Sequence, residues 1–155
     1  RCLDHAGEAQ RRQLVSRVAA AALELSQDPF GNYVVQYVLD LRDPESSAAV
    51  MARLDGHWAG LAVQKFASNV VEKCLKQEDD SLGPARDRCV QEMLRSEQLP
   101  ALLHDPFANY VVQSALAATS GRLHADLVDA MRPHLATLRG SAHGKRILAK
   151  LAGKV

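Results

Sequence analysis

Apolar positions recur along this chain at helical spacing, interrupted at fixed places by polar side chains. Asp28-Pro29-Phe30-Gly31-Asn32-Tyr33-Val34-Val35-Gln36 returns almost unchanged as Asp105-Pro106-Phe107-Ala108-Asn109-Tyr110-Val111-Val112-Gln113. A diverged copy, Lys65-Phe66-Ala67-Ser68-Asn69-Val70-Val71-Glu72-Lys73, lies between them, and His143-Gly144-Lys145-Arg146-Ile147-Leu148-Ala149-Lys150 is a fainter fourth. Phe30, Val34, Val38 and Leu41 fall close to a spacing of four, as do Phe66, Val70 and Cys74, and Phe107, Val111 and Ala115. That spacing predicts one buried face per helix, with the three phenylalanines in the core. Taking Asn32, Ser68, Asn109 and Lys145 as equivalents, the copies stand 36, 41 and 36 residues apart. A period in the thirties with helical patterning predicts stacked helical repeats.

Each unit is predicted to hold two helical stretches. The first run over 8–25, 45–63, 85–103 and 122–138, and the second over 30–41, 66–77, 107–118 and 143–152. Pro29 and Pro106 sit just ahead of second helices, where a missing N–H costs little. Asp43-Pro44, Gly83-Pro84 and Ser120-Gly121 break the chain between units. The stretch 77–81 accounts for the longer middle spacing and reads as an exposed loop. The expected fold is all-α, curved by stacking. Repeats are expected over 8–43, 44–81 and 82–119, with a capping unit over 120–155. Residues 1–7 read as the tail of a preceding repeat, so the chain is expected to be part of something longer.

Composition narrows the partner only slightly. The 155 residues carry 19 Lys and Arg against 18 Asp and Glu, a formal net charge of +1. That balance argues against a protein gripping nucleic acid mainly through phosphates, but not against one that reads bases. Three cysteines with no CxxC pair indicate neither a disulfide framework nor a zinc knuckle, and fit a reduced intracellular setting better. No apolar run approaches the ~20 residues of a membrane span, and 1–5 lack the apolar core of a signal peptide. The six histidines show no ligand spacing, so no metal or other cofactor is expected.

The informative side chains are the polar ones inside the second helices. Asn32 and Gln36 are four apart and share a face, with Tyr33 flanking it; Asn109, Tyr110 and Gln113 repeat the set. In the middle copy the set becomes Ser68, Asn69 and Glu72, two polar members having changed together while the apolar frame stayed. Asn and Gln offer donors and an acceptor, whereas ionised Glu only accepts. Uracil presents O2, N3–H and O4, which two amides can match. Guanine presents N1–H and N2–H side by side, which suits a carboxylate. Adenine and cytosine would turn a ring-nitrogen acceptor toward Glu72. The flanking residue supplies stacking, with Asn69 weaker than Tyr33 or Tyr110.

Segments 30–36 (FGNYVVQ), 65–74 (KFASNVVEKC) and 107–113 (FANYVVQ) resemble the base-reading helices of PUF (Pumilio-type) proteins, in the order of their last three repeats. The likeness extends to the longer spacing before the last reading helix and to the HGKRILAKL-like cap. It implies a right-handed curved solenoid of stacked PUF repeats, acting as a monomer, that takes one RNA base per repeat. It further implies that the first and last members of each set bond the base edge and the middle one stacks, with RNA antiparallel to the protein. Asn109, Tyr110 and Gln113 would take the first uracil, Ser68, Asn69 and Glu72 the guanine, and Asn32, Tyr33 and Gln36 the second uracil of UGU. Such proteins typically act in the cytoplasm on messenger RNA 3′ untranslated regions and recruit deadenylation or translational-repression machinery.

The fourth copy departs from the pattern. Ala149 stands where a reading residue would be and has no hydrogen-bonding side chain, so this unit is expected to cap the solenoid, with Arg146 touching a phosphate or stacking at its end. Gly140-Ser141-Ala142-His143-Gly144-Lys145 is no phosphate loop: the glycines are one residue too close and Arg146 replaces Ser or Thr. Lacking a nucleophile–base pair or carboxylate constellation, the chain is not expected to be an enzyme. Two rival readings are a peptide-binding solenoid of armadillo or HEAT type, and a PUF-like ribosome-assembly factor binding RNA by charge without a base code.

Overall fold

The computed structural model describes residues 7–153, so the expectation for 1–6 as the tail of another repeat lies outside them. The described chain is helical throughout and falls into four similar units. The first comprises α1 (Glu8–Ala20), α2 (Ala22–Ser26) and α3 (Gly31–Asp40). The second comprises α4 (Pro44–Leu54), α5 (Trp58–Ala62) and α6 (Ala67–Leu75). The third comprises α7 (Gly83–Arg95), α8 (Leu99–His104) and α9 (Ala108–Ala118), and the fourth α10 (Gly121–Met131), α11 (Leu135–Arg139) and α12 (Ala142–Ala152). The polar sets therefore sit on α3, α6 and α9, within two residues of the predicted limits.

Each unit has three helices, not two. The long first stretch breaks into a long helix and a short one. In the second unit the break falls at Gly56, whose φ of 87° lies in the left-handed region that glycine enters without strain. In the third, Pro100 opens α8, and in the fourth Pro133 lies in a 3-10 turn (Arg132–His134) ahead of α11. In the first unit Ala21 alone marks the bend, with φ −100° and ψ 13°.

Packing is sequential. Helix α3 lies against α6, α6 against α9, and α9 against α12, forming one row; α1, α4, α7 and α10 form the row behind. Between the rows lies a continuous core that includes Val35, Val38, Leu39, Met51, Leu54, Val71, Val90, Met93, Val112, Leu127 and Ile147. Val70 and Val111 are fully buried because the preceding row helix covers them, whereas Val34, at the same register, is 41% exposed. Phe30 is 82% exposed, and Phe66 and Phe107 are half-buried. The expectation that all three phenylalanines and Val34 belong to the core is thus corrected. Among the described residues no row helix lies on that side of α3, and helical spacing does not say which flank a neighbouring repeat must supply.

Polar stitches register the units. The Glu92 carboxylate of α7 accepts from the backbone N–H of Gly56 (2.8 Å) and Trp58 (3.0 Å), so one unit caps the short helix of the unit before it. Trp58, fully buried, donates its indole N–H to Asp55 at 2.9 Å. Asp55 in turn accepts from Arg88 of α7 at 3.1 Å. Glu92→Ala leaves the N–H groups of Gly56 and Trp58 without their acceptor. It should lower stability by about 1.5–3 kcal/mol, the range for hydrogen bonds to a charged group, read as a lower thermal midpoint. An unchanged midpoint would show that this bridge contributes nothing.

Candidate nucleic-acid interface

Three of the four row helices, α3, α9 and α12, are opened by a side chain that accepts from backbone N–H groups at the helix start; α6 has no such brace. Asp28 accepts from the N–H of Phe30 (2.9 Å) and Gly31 (2.7 Å), and these two bonds hold its carboxyl below the ordinary carboxylate range. Asp105 repeats this with Phe107 and Ala108, both at 2.8 Å. Ser141, at the same register in the cap, accepts from Gly144 N–H at 2.9 Å. These braces went unread in the sequence, where Asp28-Pro29 and Asp105-Pro106 drew notice only for proline. The signal was there: Asp and Ser are the residue types that satisfy orphan N–H groups at helix starts.

The polar sets occupy the first turns of α3, α6 and α9, but their members differ in exposure. Tyr33 is 67% and Tyr110 41% exposed, and Asn69 is exposed. Gln36, Glu72 and Gln113 are half-buried. Asn32, Ser68 and Asn109, at 1%, 4% and 0%, are buried. Of the two polar members that share a face in each set, only the last therefore reaches solvent. The second residue of these helices lies where α2, α5 or α8 turns into the row helix, so its side chain meets backbone there rather than solvent.

That burial has a chemical consequence. Asn32 Nδ2 donates to Asp28 O (2.8 Å) and Pro29 O (2.9 Å), which commits both amide hydrogens. Its Oδ1 then accepts from Gln36 Nε2 at 2.9 Å. Gln36 is thereby fixed with one N–H inward, and its Oε1 and second N–H form an adjacent acceptor–donor pair. A reversed amide would set Oε1 against Asn32 Oδ1, oxygen to oxygen. The third unit repeats the device, Asn109 Nδ2 donating to Asp105 O at 2.8 Å and its Oδ1 accepting from Gln113 Nε2 at 3.2 Å. In the second unit Ser68 Oγ donates to Lys65 O at 3.3 Å, and Glu72 stands 3.6 Å from Lys76 Nζ with its side chain 22% exposed. An ionised carboxylate at that place only accepts.

Lys65 Nζ lies 5.6 Å from the Phe66 ring centroid, and Lys73 is engaged with Asp40 at 2.8 Å. Cys74 and Cys89 are buried, and burial pushes both thiols well up; Cys74 and the carboxylates of Glu92 and Asp55 add to the effect at Cys89. Neither is a nucleophile in this fold.

A profile of the Pumilio-family RNA binding repeat matches residues 1–19, 22–54, 57–81 and 101–130, more than half of the chain. The chain belongs to the Pumilio family. It is 42% identical to Pumilio homolog 12 of Arabidopsis thaliana over 154 residues, 99% of this chain and 25% of that protein. It is 33% identical to Pumilio homology domain family member 4 of Saccharomyces cerevisiae, over 97% of this chain and 18% of that protein. This Pumilio chain thus spans about a quarter or less of the length of these relatives. Among solved structures, it resembles the Puf4 RNA binding domain bound to HO endonuclease RNA 3′ UTR recognition sequence, with 31% identity and a TM-score of 0.83 over 96% of this chain and 48% of that one. PUF-8 in complex with PBE-RNA is similar at 29% identity and a TM-score of 0.78, over 98% and 45%. The all-helical solenoid of Pumilio repeats expected from the sequence is therefore the fold of this chain.

Proposed function

We propose that this chain binds single-stranded RNA sequence-specifically, reading UGU with one base per repeat along the row α9, α6, α3. The observation that carries the reading is the amide couple found twice at one register and replaced in concert between the two. The Gln36 and Gln113 amides, held by Asn32 and Asn109, offer an acceptor for uracil N3–H and a donor for a uracil carbonyl. Glu72 offers acceptors alone, for guanine N1–H and N2–H. Tyr33, Asn69 and Tyr110, exposed beside the couples, supply the stacking surfaces. That two similar solved domains are bound to RNA supports the same class of ligand here.

In a cell the reading corresponds to a cytoplasmic regulator of messenger RNA, acting through 3′ untranslated regions on stability or translation and recruiting deadenylation or repression proteins. Three base contacts offset the ordering of a flexible strand poorly, so affinity for these repeats alone is modest. The test is a fluorescence-anisotropy titration of the full-length protein with RNAs differing only as UGU against ACA. Tighter binding to UGU is expected. Equal, negligible binding to both would favour a peptide-binding solenoid. Equal binding that collapses steeply with salt would favour a charge-driven RNA binder without a code.

A further inference from the structure

Arg146 lies at the register of Tyr33, Asn69 and Tyr110, two residues after Gly144 as they are after Gly31, Ala67 and Ala108. It is exposed on α12, which packs against α9. Its Nη1 donates to the Tyr110 hydroxyl at 2.7 Å, and its guanidinium carbon stands 5.5 Å from the Tyr110 ring centroid. Among the described residues no carboxylate pairs with it. The row thus projects four side chains, which bound three gaps: Tyr33 to Asn69, Asn69 to Tyr110, and Tyr110 to Arg146. There are also three reading sets. A base enclosed on both faces needs two walls, and the gap beside Tyr110 has Arg146 as its second wall.

We infer that Arg146 is a base-stacking residue, which closes over the nucleotide read by Asn109 and Gln113 and so extends the interface into the capping unit. The inference rests on the UGU reading. A guanidinium is planar, weakly hydrated and stacks on flat rings, and a base is such a ring. A base between two walls needs roughly twice the ~3.5 Å contact distance of carbon atoms. The 5.5 Å separation is therefore too narrow for one to slide in unaided. Arg146 must swing off Tyr110 as RNA enters and settle on the far face of the base. Its contact with Tyr110 keeps the side chain poised at the slot while RNA is absent. Ala149, the cap's counterpart of Gln113, reads nothing, so the fourth unit contributes a wall without a letter.

The experiment compares Arg146→Ala, Arg146→Lys and wild type in the full-length protein, with UGU RNA and the same RNA carrying an abasic first position. Stacking predicts about ten-fold weaker binding of UGU by Arg146→Ala, with Arg146→Lys recovering less than half of the loss. It also predicts equal binding of the abasic RNA by Arg146→Ala and wild type. If Arg146→Ala binds UGU as wild type does, the inference is wrong. Full recovery by Lys, with a salt slope reduced by about one in Arg146→Ala on both RNAs, would make the residue a phosphate contact instead. A wild-type protein that does not prefer UGU over ACA removes the base reading and this inference together; a preference with an indifferent Arg146→Ala removes the inference alone.

Discussion

Replacing Ser68 with Asn and Glu72 with Gln should turn the second repeat from guanine to uracil, so that UUU outcompetes UGU. The ground is prepared in α6. Lys65 O already accepts from Ser68 Oγ as Pro29 O accepts from Asn32 Nδ2, and Gln64 O accepts from the Ser68 N–H as Asp28 O does from that of Asn32. An asparagine there can place its amide hydrogens on those carbonyls and turn Oδ1 toward position 72. A glutamine at 72 then donates inward and offers its acceptor–donor pair outward, as Gln36 and Gln113 do. Discrimination at one base position is typically worth about 1–3 kcal/mol, and the variant should show a swing of that order in competition titrations between UGU and UUU. A double variant that still selects UGU would sink the assignment of roles.

A large loss of stability is likewise expected from Gly144→Ala. A Cβ built on Gly144 would stand 2.1 Å from Leu138 O, 2.5 Å from its Cα and 2.7 Å from its carbonyl carbon. These are backbone atoms of α11 and cannot rotate aside, so α12 has to move away from its neighbour. Overpacking of this kind costs typically 1–3 kcal/mol, which for a domain of this size corresponds to roughly 3–10 °C in the thermal midpoint. Gly31 is a milder case, at 2.7 Å from Leu25 O, and the second and third units carry Ala67 and Ala108 at that register. Gly31→Ala should therefore cost less. Equal midpoints for wild type and Gly144→Ala would contradict the close approach of α11 and α12.

Much of this molecule was legible in its sequence because the repeats comment on one another. One Asn–Gln couple on a helix says little; the same couple twice, with Ser–Glu between, isolates the positions that vary by choice. The row helices were equally plain, their apolar positions being periodic and the starts of α3 and α9 marked by proline. The extra break in each unit was partly written: Gly56, Pro100 and Pro133 stand at or beside it, but the apolar pattern runs through them. At Ala21 nothing in the residue type foretells the bend. Exposure of Phe30 and Val34 was not legible at all, since helical spacing names an apolar side without naming its cover. The burial of Asn32 and Asn109 was hidden for another reason. Asparagine is ordinarily a surface residue, and only the carbonyls of the preceding turn make its interior position tolerable.

The bond between Asn32 and Gln36 implies a grammar of two-residue words. Exchanging Gln36 for Glu alone would aim a carboxylate oxygen at Asn32 Oδ1, two lone pairs meeting where a proton had been shared. Exchanging Asn32 for Ser alone would free the glutamine to rotate and present either end of its amide, blurring the letter. Either half-step is spelled badly, so a vocabulary of such repeats should change by coupled substitution, as the middle unit already has.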